Sequence, residues 1–204
     1  MHDLVLATGN KKKLIEIRDL LAGLDFNVLS IDDFDGIPEV QEDADTFSGN
    51  AKKKAVEISK ATGKLALADD SGLEIDYLGG KPGIHSARFA GKGATDEDKN
   101  KKVLNLLDGV PKQERTARFN CAIAITDGES FVVVMGVCEG EIATEPKGHY
   151  GFGYDPIFIV PSYNKTFAEL GAEIKNQISH RAIALKKAKG ILVNYLQTGI
   201  LGNS

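Results

Sequence analysis

Short, wholly apolar runs alternate with stretches of helical spacing, and this alternation constrains the fold more than any other feature of the chain. Leu4-Val5-Leu6-Ala7 and Leu65-Ala66-Leu67-Ala68 are unbroken apolar quartets, as expected of strands covered on both faces. Between them, Leu14, Ile17, Leu21 and Leu24 recur at helical intervals, a second strand is expected near residues 27–31, and an acidic loop fills 32–45. Phe47, Ala51, Ala55 and Ile58 mark a second helix that Gly63 ends. The strand at Leu65 is expected to stop at Asp69-Asp70-Ser71-Gly72, and glycines from Gly79 to Gly93 mark an irregular loop. Thr95, with Asp98 three residues on, opens a helix reaching Leu107. Asp127-Gly128 joins two β-rich runs, 115–126 and 131–143, as a hairpin, and Ser179 opens a final helix carrying Ile183, Ile191, Leu192 and Tyr195. Helices interleaved with strands, plus one long hairpin, predict an α/β protein with a mixed sheet.

Residues 1–204 show no repeat, low-complexity tract or Pro/Ser-rich linker and read as a single domain. Twenty-nine acidic residues against 25 basic ones give a net charge of −4. A general nucleic-acid coat is therefore excluded, since such binding rests on excess positive charge. The longest apolar stretch, 131–138, is interrupted by Gly136 and falls far short of a membrane helix. Charge at Asp3 and at Lys11-Lys12-Lys13 comes too early for a secretory signal. Cys121 and Cys138 fit no zinc or redox spacing and are expected as buried thiols of a reducing cytosol.

Several charges stand where a helix disfavours them. A helix N-terminus carries about half a positive charge and unpaired N–H groups, yet Lys11, Lys12 and Lys13 open the first helix and His180 and Arg181 the last. Two such placements in an acidic protein point to an anionic ligand that offsets the cost, and a strand–Gly–helix junction with lysines suits phosphate. A merely solvated lysine face is the alternative, and no G-x-x-x-x-G-K-[ST] motif occurs. The acidic counterpart is Glu42, Asp43 and Asp45 in one loop and Asp69-Asp70 at a strand end. Mg²⁺ takes carboxylate and phosphate oxygens together; ordinary turn chemistry is the rival reading of Asp-Asp-Ser-Gly. Successive strand residues face opposite ways, so only one of Asp69 and Asp70 is expected to face any one site. Gly151-Phe152-Gly153-Tyr154-Asp155-Pro156 sets aromatics between glycines, which either offer faces for a base to stack on or serve the core. His180 alone is as compatible with a structural role.

Together these strings resemble the inosine/xanthosine triphosphate pyrophosphatases, house-cleaning enzymes that remove deaminated purine nucleotides. The resemblance covers nearly the whole chain. It rests on Thr8-Gly9-Asn10-x-x-Lys13, Glu42 with Thr46-Phe47 and Asn50-Ala51, Ala68-Asp69-Asp70-Ser71-Gly72-Leu73 and Gly79-Gly80-x-Pro82-Gly83. Ser86-Ala87-Arg88, Phe152-Gly153-Tyr154-Asp155-Pro156 and Ile178-Ser179-His180-Arg181 complete it, in the family's order. Two departures are Gly49, where an acidic residue is frequent, and His149-Tyr150, where small residues are usual.

The resemblance implies an elongated mixed β-sheet flanked by helices, two lobes with a substrate cleft between them, and a cytoplasmic homodimer. It implies Mg²⁺-dependent hydrolysis of ITP, dITP or XTP to the monophosphate and pyrophosphate. Thr8, Gly9, Asn10, Lys11, Lys12 and Lys13 would hold the phosphates, with Lys54 and Lys175. Glu42 and Asp70 would bind the metal, and Asp70 would also accept the proton. Ser71, Phe152, Gly153, Tyr154, Asp155, His180 and Arg181 would contact the substrate, Arg181 through either the base or a phosphate. The alternatives are a pyrophosphatase for modified pyrimidine nucleotides and a nucleotide sensor without catalysis.

Overall fold

The computed structural model describes residues 2–202. The strands are β1 (His2–Leu6), β2 (Phe26–Ser30), β3 (Leu65–Ile75), β4 (Thr116–Thr126), β5 (Phe131–Ile142), β6 (Phe158–Val160) and β7 (Lys165–Thr166). The helices are α1 (Lys11–Leu21), α2 (Phe47–Thr62), α3 (Asp96–Leu106), α4 (Phe167–Ile178) and α5 (His180–Thr198). The strands make one seven-stranded sheet ordered β2-β1-β3-β4-β5-β6-β7. β1 pairs in parallel with β2 and β3, aligning Leu4 with Val28 and Leu65, while β6 is antiparallel to β5 and β7. The expected mixed α/β sheet is present.

The chain divides into two compact units. Of the described residues, the first takes 2–70, 121–136 and 181–202, the second 71–120 and 137–180. In the first, Leu4, Leu6, Leu65, Leu67 and Ile123 of the sheet pack with Ile17 and Leu21 of α1 and Leu185 and Leu192 of α5. The second has its own core of Leu73, Ile75, Val103, Leu107, Phe119, Phe158 and Phe167. The face read for α2 is buried throughout, at Phe47, Ala51, Ala55 and Ile58; of the α1 set Ile17 and Leu21 are buried, Leu14 is half-buried and Leu24 lies beyond the helix end. Thr95 caps α3 through a reciprocal pair with Asp98. Both cysteines are free and buried, and burial pushes Cys121 up to about 12 and Cys138 to about 11, which leaves both thiols inert. Among the described residues no helix is long and apolar enough to cross a membrane.

Two expectations change. β3 does not stop at Asp69 but runs on to Ile75, because Leu73 and Ile75 are core residues and both aspartates have buried partners. β6, β7 and α4 fill a stretch that the apolar pattern leaves blank. α4 starts with a Thr166–Glu169 capping box but breaks its helical backbone at Gly171 (φ 76°, ψ 176°), which interrupts the periodicity.

Candidate active site

In the first unit, β1 delivers Thr8-Gly9-Asn10 to the start of α1. Asn10 is the N-cap: its Oδ1 accepts from the backbone N–H groups of Lys12 (3.0 Å) and Lys13 (3.2 Å), and its own N–H donates to Thr8 Oγ1 (3.2 Å). The cap thus occupies two of the amides a phosphate would otherwise find there. Lys11 and Lys12 are exposed. Lys13 instead forms an ion pair with Asp69 Oδ2 at 3.0 Å. Arg181, among the most buried large side chains, pairs with Glu16 Oε2 at 2.5 Å and with Asp69 Oδ2 at 3.2 Å. For Lys13 and Arg181 the cost of a cation at a helix start is therefore offset by the protein's own carboxylates.

α2 supplies the other half. Thr46 caps it by accepting the Gly49 N–H at 3.0 Å. One turn in, the buried Asn50 accepts the Ala44 N–H through Oδ1 (2.9 Å) and donates from Nδ2 to Asp70 Oδ2 (3.0 Å), tying the acidic loop to the catalytic candidate. A further turn along, Lys54 Nζ donates to Glu42 Oε1 at 2.5 Å and to the Asp69 carbonyl at 2.7 Å. Gly49 has a local reason: a Cβ there would stand 2.8 Å from Ala44 Cβ and 3.1 Å from Thr46 Oγ1, so an acidic side chain does not fit this loop. The nearby Asp43 is exposed and paired with Lys53 at 2.7 Å.

The two aspartates have opposite electrostatics, as residues leaving a strand on opposite faces allow. Burial works to raise Asp69, but the charges of Lys13, Arg181 and Lys54 overcome it and hold the carboxyl well below the usual range. Asp70 is raised: burial is the main cause, and the Glu42 charge adds to it against Lys54, the Asn50 hydrogen bond and Lys13. Lys54 is raised because Asp69, Glu42 and Asp70 together outweigh its desolvation. Glu42, Lys54, Lys13 and Asp70 therefore share one field. Among the described residues no three His, Cys, Asp or Glu side chains gather as a metal cluster. Glu42 and Asp70 are the two carboxylates whose mutual repulsion a divalent cation would relieve.

The second unit holds the glycine-aromatic loop. Gly151 (φ 76°) and Gly153 (φ 63°) are left-handed, a conformation that costs other residues roughly 1–2 kcal/mol. At Gly151 a Cβ would also lie 2.1 Å from Asp155 Oδ2. That carboxylate organises the loop, accepting the Phe152 N–H at 2.9 Å and Lys175 Nζ at 2.6 Å. Asp155 and Lys175 are both buried, and Lys175 stands 4.5 Å from the centroid of the Phe152 ring. Tyr154 is buried, with its hydroxyl donating to the Ser86 carbonyl at 2.9 Å. Phe152 is half-buried, while Tyr154 belongs to the core. His180 is buried and stacks on Phe119 (centroids 4.6 Å, planes 13° apart). Ser71 is half-buried in β3, and Ser179 has extended backbone between α4 and α5.

Two participants carry no assigned role in the sequence reading. Asn50 had a signal, a polar residue on the apolar face of α2. Glu16 had none, because a glutamate between Leu14 and Ile17 reads as solvated.

The Ham1 family model matches residues 4–191. A protein of Desulforamulus reducens named dITP/XTP pyrophosphatase is 55% identical over 190 residues, 93% of this chain and 94% of that one. A Bacillus subtilis protein of the same name is 48% identical over 193 residues, covering 94% and 98%. Among solved structures, a HAM1 protein from Coxiella burnetii superposes with a TM-score of 0.88 at 44% identity, covering 95% of this chain and all of that one. The Staphylococcus aureus Ham1 protein gives 0.85 at 39% identity, covering 94% and 98%. Matched over nearly its whole length in both sequence and fold, the chain belongs to the Ham1 family.

Proposed function

We propose that the protein hydrolyses deaminated purine nucleoside triphosphates (ITP, dITP and XTP) to the monophosphate and pyrophosphate, and so clears them from the nucleotide pool. The relatives' names support this substrate class. The observation that carries it is the shared field of Glu42, Lys54, Lys13 and Asp70, in which Asp70 is the one carboxylate pushed toward higher pKa. A buried carboxylate of raised pKa, oriented by Asn50, is suited to accept a proton from the water that attacks the α-phosphorus.

Charge balance supports a metal requirement. Lys13, Lys54 and Arg181 bring three positive charges; Glu16, Glu42, Asp69 and Asp70 bring four negative ones. With Lys13, Lys54 and Arg181 already matched by carboxylates, a triphosphate brought to Asp70 and Glu42 calls for an accompanying cation. Glu42 and Asp70 would hold Mg²⁺, leaving most of its coordination to water and phosphate oxygens. When bound, the ion draws charge from those oxygens. The protein's own groups do the rest. Lys13 and Lys54 are fixed in advance by Asp69 and Glu42, and Lys11 and Lys12 extend the cationic edge at the start of α1. No covalent intermediate is needed, since positioned charge supplies the catalysis.

Selectivity for a 6-keto purine needs a donor where adenine presents its amino group, and each donor–donor mismatch costs about 1–3 kcal/mol. Arg181, whose charge Glu16 and Asp69 already match, suits base reading better than phosphate clamping. The protein acts as a cytoplasmic homodimer, for which light scattering should return twice the chain mass.

Pyrophosphate release from ITP, dITP, XTP, ATP, GTP, TTP and methylated UTP, each with Mg²⁺ and with EDTA, tests the reading. The deaminated purines should exceed ATP by about tenfold or more, since several contacts must combine, and EDTA should abolish release. Preference for the pyrimidines, or nucleotide binding without release, would replace this function with one of its rivals.

A further inference from the structure

Helix α3 carries two side chains whose work lies outside its own packing. Asp96 and Asn100 stand four residues apart, on one face of the helix. Asp96 Oδ2 accepts the Gly153 N–H at 2.8 Å, and Asn100 Nδ2 donates to the Gly153 carbonyl at 3.1 Å. Both backbone polar groups of one residue, more than fifty positions along the chain, are thereby gripped by a single helical turn. Lys99 braces the grip through Asp96 Oδ1 at 2.6 Å. Asn100 is buried, and its Oδ1 has no hydrogen-bond partner among the described residues. A residue serving packing alone would avoid that unsatisfied acceptor.

The gripped residue needs holding. Gly153 is left-handed, and a Cβ there would meet nothing within 4 Å, so conformation rather than space demands the glycine. At Phe152, Asp155 accepts the backbone N–H, and Lys175, paired with Asp155, stands against the ring. The N–H groups of Phe152 and Gly153 thus end on two carboxylates from different elements.

We propose that Asp96 and Asn100 are positioning residues for base binding: by clamping Gly153 they set the ring of Phe152 in the orientation a purine stacks on. The proposal rests on the expectation that the Phe152 ring is the face a base stacks on; the clamp on Gly153 does not. An unheld loop must be ordered when substrate binds. The base is remote from the reacting phosphorus, so that loss falls on KM with kcat preserved.

The chain has no tryptophan, so a Phe152→Trp variant carries a single fluorescent reporter whose acrylamide quenching is independent of turnover. Adding Asp96→Ala or Asn100→Ala should raise the quenching constant about twofold as the loop loosens. Asp96→Asn keeps an acceptor for the Gly153 N–H and should restore most of the protection. With Phe152 in place, Asp96→Ala should raise KM for ITP about tenfold and leave kcat within about threefold, with Asp96→Asn again close to the parent. Unchanged quenching in both alanine variants overturns the clamp. A KM raised by Phe152→Ala but not by Asp96→Ala overturns the positioning role alone. A KM indifferent to both substitutions overturns the stacking assignment, and the proposal falls with it.

Discussion

Asp69 and Asp70 are neighbours in one strand and do opposite work. Asp70, raised by burial and by Glu42, binds its proton more tightly folded than unfolded. Its carboxylate therefore costs stability at neutral pH, and that cost fades as pH falls through its pKa. Asp70→Asn should lower pyrophosphate release by about 10²-fold or more while leaving the melting temperature at pH 7 unchanged or higher. Asp69 is the reverse: its carboxyl is held low, so its stabilisation is complete above the unfolded value of about 3.9 and is lost only in strong acid. Asp69→Ala strips Lys13 and Arg181 of their shared counter-ion, and urea unfolding should show a loss of about 3–5 kcal/mol. The Asn50 hydrogen bond lowers Asp70, so Asn50→Ala should move the acid limb of the kcat/KM profile to higher pH. A limb that stays in place would mean that another group titrates. At this scale the sequence showed which residues are charged but not their pairing. The pairing of Lys13 and Arg181 was not legible because Glu16 and Asp69, their partners, are distant in sequence or unremarkable in pattern.

Elements were legible wherever one local rule governed a whole stretch. The cap at Thr95, the buried stripe of α2 and the Asp127-Gly128 hairpin each follow from residues within one or two turns of chain. β6, β7 and α4 were not legible. Two of them are strands of three and two residues, and the third is a helix broken at Gly171. The continuation of β3 past Asp70 was hidden because buried charge pairs, not local propensity, carry the strand through two aspartates. The glycine-aromatic loop tests how far an element depends on one conformation. Gly151→Ala meets both a left-handed backbone and the Asp155 carboxylate at 2.1 Å. Calorimetry should register a loss of several kcal/mol, beyond the roughly 1–2 kcal/mol of conformation alone, whereas Gly153→Ala, with open space around it, should show only the conformational part.

At the scale of the whole molecule, a net charge of −4 and buried cations already matched by carboxylates both oppose a polyanionic substrate. Association should therefore require a divalent cation, and equilibrium binding of a non-hydrolysable ITP analogue should weaken at least about tenfold in EDTA. The fold class and family were accessible from sequence because seven short strings in fixed order outweigh any single ambiguous one. The division of labour was not, since it depends on which buried charges meet. The central claim is that water attacks the α-phosphorus of a deaminated purine nucleotide. Hydrolysis of ITP in oxygen-18 water, followed by mass spectrometry of both products, tests it directly: one label in IMP and none in pyrophosphate is the predicted result, and label in pyrophosphate, or IDP with inorganic phosphate as the products, would contradict it.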